Sequence, residues 1–487
     1  MTAVRSALRG VAAIMAASAL AACSTMPGER VVNPTLPANW TDAPAGAELP
    51  VADWWQNFND PALTALVNEA LVSGPSVQQA MLRVREARAL SHSTIAQYLP
   101  ELSATGQGQY QRDVERSGGF ATAGGGTERE QMTGSYGAQV SWEIPLFSRI
   151  EASLVGSRAN TRSALADVRA AQVALAADVA QAYVDLRAAQ ASREALQRSV
   201  ATADDLSRIL DISFNAGITS EADAADGRRL AESTRARLPG LVIEERRAEN
   251  VLAVLRGLAP GTETQEVRAV LDAELQPVPH MELAQAPAAP ADLVRLRPDV
   301  ARAEAQALLA AASVSNARTD LLPRLNLTGA ILSSDALIGD PIGVGATLAT
   351  GTPLISIPLF DWGARLARVR ERNAQFDQAL LQYHTTVTQA VAEASNALVA
   401  LDQGRLRLAS AARAETAAET TARGSRAAYE AGIQSLTDRL RSEQQLIDAN
   451  LTRIDAEAQS ARAAIATYRA FGGGPSFETP LREVPSQ

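Results

Sequence analysis

Three motifs recur in the same order in the two halves of this chain. Leu99-Pro100-Glu101-Leu102, with Thr105-Gly106, returns as Leu322-Pro323-Arg324-Leu325, with Thr328-Gly329. Ile144-Pro145-Leu146-Phe147 returns as Ile357-Pro358-Leu359-Phe360. Phe214-Asn215-Ala216-Gly217-Ile218, with Ser220 and Asp223, returns as Tyr429-Glu430-Ala431-Gly432-Ile433, with Ser435 and Asp438. The offsets, about 223, 213 and 215 residues, are far longer than a solenoid unit. The repeat is therefore a duplicated half-protein, and each half should build the same elements. Such an object suits a symmetric wall or tube better than a single enzymatic pocket.

The pattern inside each half supplies those elements. Asp53-Trp54-Trp55-Gln56-Asn57-Phe58-Asn59-Asp60-Pro61 leads into a helix, with Asp60 as N-cap and Pro61 at the first helical position. Gly74-Pro75 interrupts it, Ser76 restarts it, and Pro100 ends it near Tyr98. From Leu102 to Glu143 the helical period disappears. Tyr136, Ala138, Val140, Trp142 and Ile144 then alternate with polar residues, the signature of a strand. Strands are expected again near Leu325–Ser333 and Thr347–Ile357. Gly118, Gly119 and Gly124–Gly126 mark the first strand pair's loop, and Gly339, Asp340, Pro341 and Gly343 the second. Strands of about 9–11 residues match the length that crosses a bilayer at a tilt.

After Pro145 a 3,4 spacing begins: Leu165, Val168, Leu175, Val179, Ala182, Leu186, Ala189, Leu196, Val200, Ala203. It runs without an internal cap to about Phe214. A helix of about 65 residues would be roughly 100 Å long, the mark of a coiled coil. Ala216-Gly217 turns the chain into a second helix from about Ser220 to Arg256, which Pro239-Gly240 should kink. The second half gives Asp361 to Tyr429, a turn at Ala431-Gly432, and Ser435 to Phe471. The expected division is 1–22 leader, 23–52 extended segment, 53–256 first repeat with strands in 102–144, and 257–290 proline-rich connector. The second repeat, 291–471 with strands in 325–357, and a 472–487 tail complete it.

The N-terminus reads as a bacterial lipoprotein leader. Arg5 and Arg9 precede an apolar run from Val11 to Ala22, about a dozen residues, too short to remain as a spanning helix. Leu20-Ala21-Ala22-Cys23 matches a lipobox, so the single cysteine, Cys23, is the expected lipidation site. Ser24 in place of an aspartate favours the outer membrane. With no second cysteine there is no intrachain disulfide. The net charge is −9 and arginine supplies every basic side chain, since lysine is absent. That balance argues against a nucleic-acid surface. His92, His280 and His384 have no spaced ligand partners, and no P-loop, Rossmann glycine pattern or nucleophile elbow is present. The expectation is a non-enzyme without metal or cofactor.

Four strands cannot close a membrane barrel, whose smallest examples have about eight. An open edge in lipid would leave backbone groups unpaired at several kcal/mol each. Membrane insertion would therefore require several copies.

The Trp-Trp-Gln-Asn-Phe-Asn-Asp-Pro run, the two Leu-Pro-x-Leu entries, the two Ile-Pro-Leu-Phe exits and the two aromatic-x-x-Gly turns resemble the TolC-like outer-membrane efflux superfamily. Within it, the chain is most similar to the lipidated NodT branch serving RND pumps. The resemblance spans about Asp53 to Phe471. It implies a mainly α fold with a small β part: a homotrimer with a twelve-stranded barrel in outer-membrane lipid above a long helical-hairpin α-barrel. It also implies a periplasmic adaptor and an inner-membrane pump as partners, with the chain as a passive conduit. Gly217 and Gly432, with Phe214 and Tyr429, would lie at the periplasmic tip and meet the adaptor. Asp223, Asp226 and Asp438 would sit just past the tip, either as an acidic ring at the aperture or as solvated acids at helix N-termini. Arg441 stands where the family often has a second acid, and could pair with Asp438 one turn away. Two other readings stay open: a type I secretion duct of the same fold, and a lipid-anchored periplasmic coiled-coil protein without membrane strands.

Overall fold

The computed structural model describes residues 52–112, 130–262, 277–279, 296–338 and 346–476. The leader, Cys23, almost all of the extended segment, both glycine-marked loops, most of the connector and the end of the tail lie outside them. A short 3-10 turn, Trp54–Phe58, precedes α1 (Pro61–Ser73) and α2 (Pro75–Ala96). Strands β1 (Glu101–Arg112) and β2 (Glu130–Ile144) follow, then α3 (Arg149–Asn215), α4 (Glu221–Arg235) and α5 (Leu238–Leu255). The second half brings α6 (Pro298–Thr319), β3 (Arg324–Ile338), β4 (Ala346–Ser356), α7 (Ala364–Glu430) and α8 (Leu436–Ala470). The helix, strand pair and 67-residue helix thus recur in both halves. The two long helices have 67 residues each.

Two expectations need correction. Three of the strands are longer than expected, at 12, 15 and 15 residues, while β4 has the expected 11. The helix from Ser220 to Arg256 is not kinked at Pro239 but broken ahead of it, between Arg235 and Leu238. Pro239 sits in the first turn of α5, where its missing N–H costs nothing. The corresponding α8 has no proline and runs unbroken. The strands of each half pair with each other as expected, and the two pairs are also joined. β2 pairs with β3, so both halves merge into one antiparallel sheet of order β1-β2-β3-β4.

The chain divides into two compact units. One comprises Arg85–Ser163 and Glu304–Gln382 and carries the sheet; the other comprises residues 52–84, Ala164–Ala303 and 383–476. In the sheet unit, Trp142 Nε1 donates to Tyr98 O at 3.0 Å, and Arg149 bridges Glu143 and Asp320, each at 3.0 Å. These contacts tie the end of β2 to α3 and to the turns that follow α2 and α6.

In the second unit the apolar stripe of α3 forms the core. Val168, Leu175, Val179, Ala182, Leu186, Ala189, Leu196, Val200 and Ala203 are all buried, together with Ala176, Ala177 and Ala180. The alanines permit close helix approach. At the level of Asp185 to Arg193 the helices are joined in the order α5–α3–α8–α7. Arg193 pairs with Glu245 at 2.7 Å, Arg462 with Asp185 at 2.6 Å, and Arg453 with Glu415 at 2.8 Å.

Trp54 and Trp55 seal this core. Trp54 stacks on Tyr468 at 5.2 Å, and its Nε1 donates to Gly473 O. Asp60 caps α1 by accepting from Ala62 N and Leu63 N, and also accepts from Tyr183 Oη at 2.8 Å. The Tyr183 hydroxyl in turn accepts from buried Arg187. Burial raises the Tyr183 phenol above its ordinary pKa, so it stays a donor.

Candidate functional site: the bare sheet and the hairpin turns

The sheet register sorts side chains into two faces. Cross-strand rows on one face are Ile144–Leu325–Ile355, Trp142–Leu327–Pro353, Leu102–Val140–Gly329–Gly351 and Ala104–Ala138–Ile331–Ala349. Rows on the other are Glu101–Ser141–Thr328–Thr352 and Ser103–Gln139–Ala330–Thr350. One face is mostly apolar, with Ser333 and Thr347 beside Tyr136 as its polar members, and the other largely polar, with Leu332, Leu348 and Leu354 as apolar members of the latter.

An ordinary half-buried sheet would hide its apolar face. Here no described strand residue is buried on either face. Leu102, Ile331 and Ile355 are 76%, 59% and 65% exposed. β1 and β4 also present unpaired outer edges. A sheet with a bare apolar face, a polar opposite face and two open edges is a segment of a membrane barrel wall. Lipid covers the apolar face, and edge pairing with further strands satisfies the backbone.

At the far ends of α3 and α7 the two turns share one geometry. Gly217 has φ 74° and Gly432 φ 72°, the left-handed region that glycine enters without strain. Gly217 N donates to Phe214 O and Ile218 N to Ser213 O; Gly432 N donates to Tyr429 O and Ile433 N to Ala428 O. Ile218 and Ile433 are left exposed.

The acids past the turns have local roles. Asp223 and Ser220 form a reciprocal capping box on α4. Asp438 N donates to Ser435 Oγ, and the Ser435 hydroxyl donates to Asp438 Oδ2 at 2.6 Å. Asp226 pairs with Arg229 at 3.2 Å on an exposed surface. Arg441 is exposed and makes no ion pair with Asp438 among the described residues; the helical-turn pairing is not formed. Asp438 instead spends its carboxylate on Ser435.

The two aromatic turn residues differ. Phe214 is partly exposed, whereas the Tyr429 ring lies 5.1 Å from the guanidinium carbon of buried Arg439. At the position equivalent to Arg439 the first half has Ala224. Leu436 and Leu440 of α8 pack on Leu206 and Leu210 of α3 and on Leu230 of α4.

The model of the family described as "Outer membrane efflux protein" matches residues 66–258 and 290–473. The chain belongs to this outer membrane efflux protein family. Outer membrane protein OprJ of Pseudomonas aeruginosa is 27% identical over 474 residues, covering 96% of each chain. Nodulation protein T of Rhizobium leguminosarum bv. viciae is 27% identical, covering 93% of this chain and 91% of its own. Among solved structures, the outer-membrane channel OprN superposes with TM-score 0.80 at 27% identity, covering 92% of this chain and 99% of that one. The Campylobacter jejuni CmeC channel gives the same TM-score at 21% identity, which speaks to the fold. The bare sheet is thus the outer-membrane part of an efflux channel whose helices extend into the periplasm.

Several residues of this family member escaped the sequence reading. Arg187 and Arg256 are buried charges, the latter paired with Glu69 at 2.7 Å. Arg297 bridges Asp299 and Glu393, each at 2.7 Å, and donates to Ala470 O. Burial alone would raise the Asp299 pKa, but hydrogen bonds and charge from Arg297 outweigh it and hold the carboxyl below its usual value. None of these arginines stands in a motif; the only signal was an arginine interrupting an apolar run.

Proposed function

We propose that this channel is a passive, trimeric exit duct of a tripartite RND-type efflux system, anchored through lipidated Cys23. The single observation that supports the duct is the four-stranded sheet with one bare apolar face and both edges open. Three copies would supply twelve strands, above the minimum of about eight for a closed membrane barrel. The chain performs no bond chemistry in this reading, and needs no cofactor or metal. Energy comes from an inner-membrane pump reached through a periplasmic adaptor. The exposed turns at Gly217 and Gly432, with Phe214 and Tyr429 behind them, are the adaptor's contact.

Relatives include a protein named for pyoverdine export and one named for cation efflux. Small molecules of this range are the proposed cargo, with selection made by the pump. Asp223, Asp226 and Asp438 line the periplasmic aperture and lean it toward cations; Arg441, exposed and without an ion-pair partner among the described residues, tempers that charge.

Two experiments test the reading. The Cys23→Ser protein should still need detergent, because its sheet inserts. A water-soluble product would instead indicate an anchored coiled-coil protein. Asp223→Asn with Asp226→Asn and Asp438→Asn should lower the cation-to-anion permeability ratio in planar bilayers. An unchanged ratio would remove the acids from the aperture.

A further inference from the structure

The exit Ile144-Pro145-Leu146-Phe147 and its copy Ile357-Pro358-Leu359-Phe360 both lead from a strand into a long helix, but they expose different side chains. In the first half Leu146 is 37% exposed, Phe147 is partly buried, and Arg149 at the start of α3 is held by Glu143 and Asp320. In the second half Leu359, Phe360 and Trp362 are 91%, 75% and 90% exposed. Single exposed apolar residues need no explanation, but three large ones within four positions do. The turn is built to display them. Trp362 has φ 56°, a left-handed backbone that strains a bulky residue. Asp361 holds that turn by accepting from Gly363 N at 3.1 Å and from Arg365 N at 3.2 Å. The Phe360 and Trp362 rings meet edge to face, with centroids 4.9 Å apart.

Place and charge say what covers them. The bare apolar face of the sheet ends at the row Ile144–Leu325–Ile355, and Ile357 keeps its alternation. Leu359, Phe360 and Trp362 follow where the hydrocarbon-facing band stops, within the same compact unit. In a bilayer that level is the headgroup layer, about 5–8 Å thick on each side. Tryptophan concentrates there because its body is apolar and its N–H is polar. The first nine residues of α7 then carry Arg365, Arg368, Arg370 and Arg372 against Glu371. Arg365 lies 3.6 Å from Asp361, and Arg372 bonds Gln375. Arg368 and Arg370 are exposed and have no ion-pair partner among the described residues. At 1.5 Å per residue they stand about 6–9 Å along the helix from its start, within an arginine's reach of lipid phosphates.

We propose that Phe360, Trp362, Arg368 and Arg370 form a seat for anionic phospholipid headgroups in the periplasm-facing leaflet of the outer membrane. The rings lie at the level of the ester and glycerol groups, and the two guanidinium groups bind phosphate from below. The first half, with no tryptophan at its exit and with Arg149 paired, offers no such seat, so each chain carries one. The proposal rests on the membrane reading of the sheet and adds the chemistry of the lipid it selects.

The test reconstitutes the full chain in phosphatidylcholine vesicles with or without phosphatidylglycerol. Lipids brominated next to the acyl carboxyl quench nearby tryptophan. The expected difference between the unaltered chain and Trp362→Phe is a strongly quenched component, beyond that from Trp142 on the apolar face of the sheet. Spin-labelled phosphatidylglycerol should associate in preference to spin-labelled phosphatidylcholine. Arg368→Gln with Arg370→Gln should reduce that preference by about fivefold per arginine. Insertion with Trp142 quenched but no Trp362 component, as when a second copy covers the patch, would overturn the seat and leave the channel reading intact. A quenched Trp362 with a lipid preference that the arginine substitutions do not change would overturn the seat as well. Protein that never inserts would overturn both readings.

Discussion

At the scale of single residues, the turns and caps state why particular identities stand where they do. Gly217 and Gly432 occupy positive φ, so Gly432→Ala should destabilise that turn by about 1–2 kcal/mol. A circular-dichroism melt with a matched change at exposed Gly424, which has helical backbone, would check it. Tyr183→Phe removes the hydroxyl shared by Asp60 and Arg187 and leaves a buried guanidinium short of an acceptor; about 1–3 kcal/mol should be lost. Asp299 sets a pH dependence. Its folded pKa is lowered, so its contribution is present above the unfolded value near 3.8 and disappears as pH falls through the folded value. Denaturant midpoints should therefore drop on acidification below about pH 4, and Asp299→Asn should flatten that part of the curve. The Asp60 cap was legible because an aspartate just before a proline at the first helical position is a local signal. Arg187, Arg256 and Arg297 were not, because their partners lie far away in sequence.

At the scale of elements, periodicity was a good guide where the chain buries one face. The α3 stripe was read almost residue for residue, since a helix of this length buries a seam that recurs every three or four positions. The break before Pro239 was misplaced because a proline is equally compatible with a kink or with the first turn of a new helix. The β2–β3 pairing was invisible for a different reason. It joins strands from separate halves, and alternation names a strand's faces but not its neighbour. The two-faced sheet makes a directional prediction. Val140→Arg places a charge on the apolar face and should cost up to about 2–4 kcal/mol, less the nearer its row lies to the interface, while Gln139→Arg on the polar face should be tolerated. The yield of assembled, detergent-extracted protein from outer membranes reads the difference. Equal yields would mean that lipid does not cover the Val140 face.

At the scale of the whole molecule, the duplication sets the architecture. Each half contributes two strands and a long helical hairpin, and the sheet they share is left open at β1 and β4. The open edges call for further strands, and family membership gives the protein its place in the outer membrane. The central claim is that the strands form a conducting wall. The measurement that tests it most directly is single-channel conductance of the purified protein in planar bilayers. The account predicts discrete steps of uniform size from an oligomeric particle, with permeability leaning toward cations. Protein that never inserts, or inserts without conducting, would contradict it.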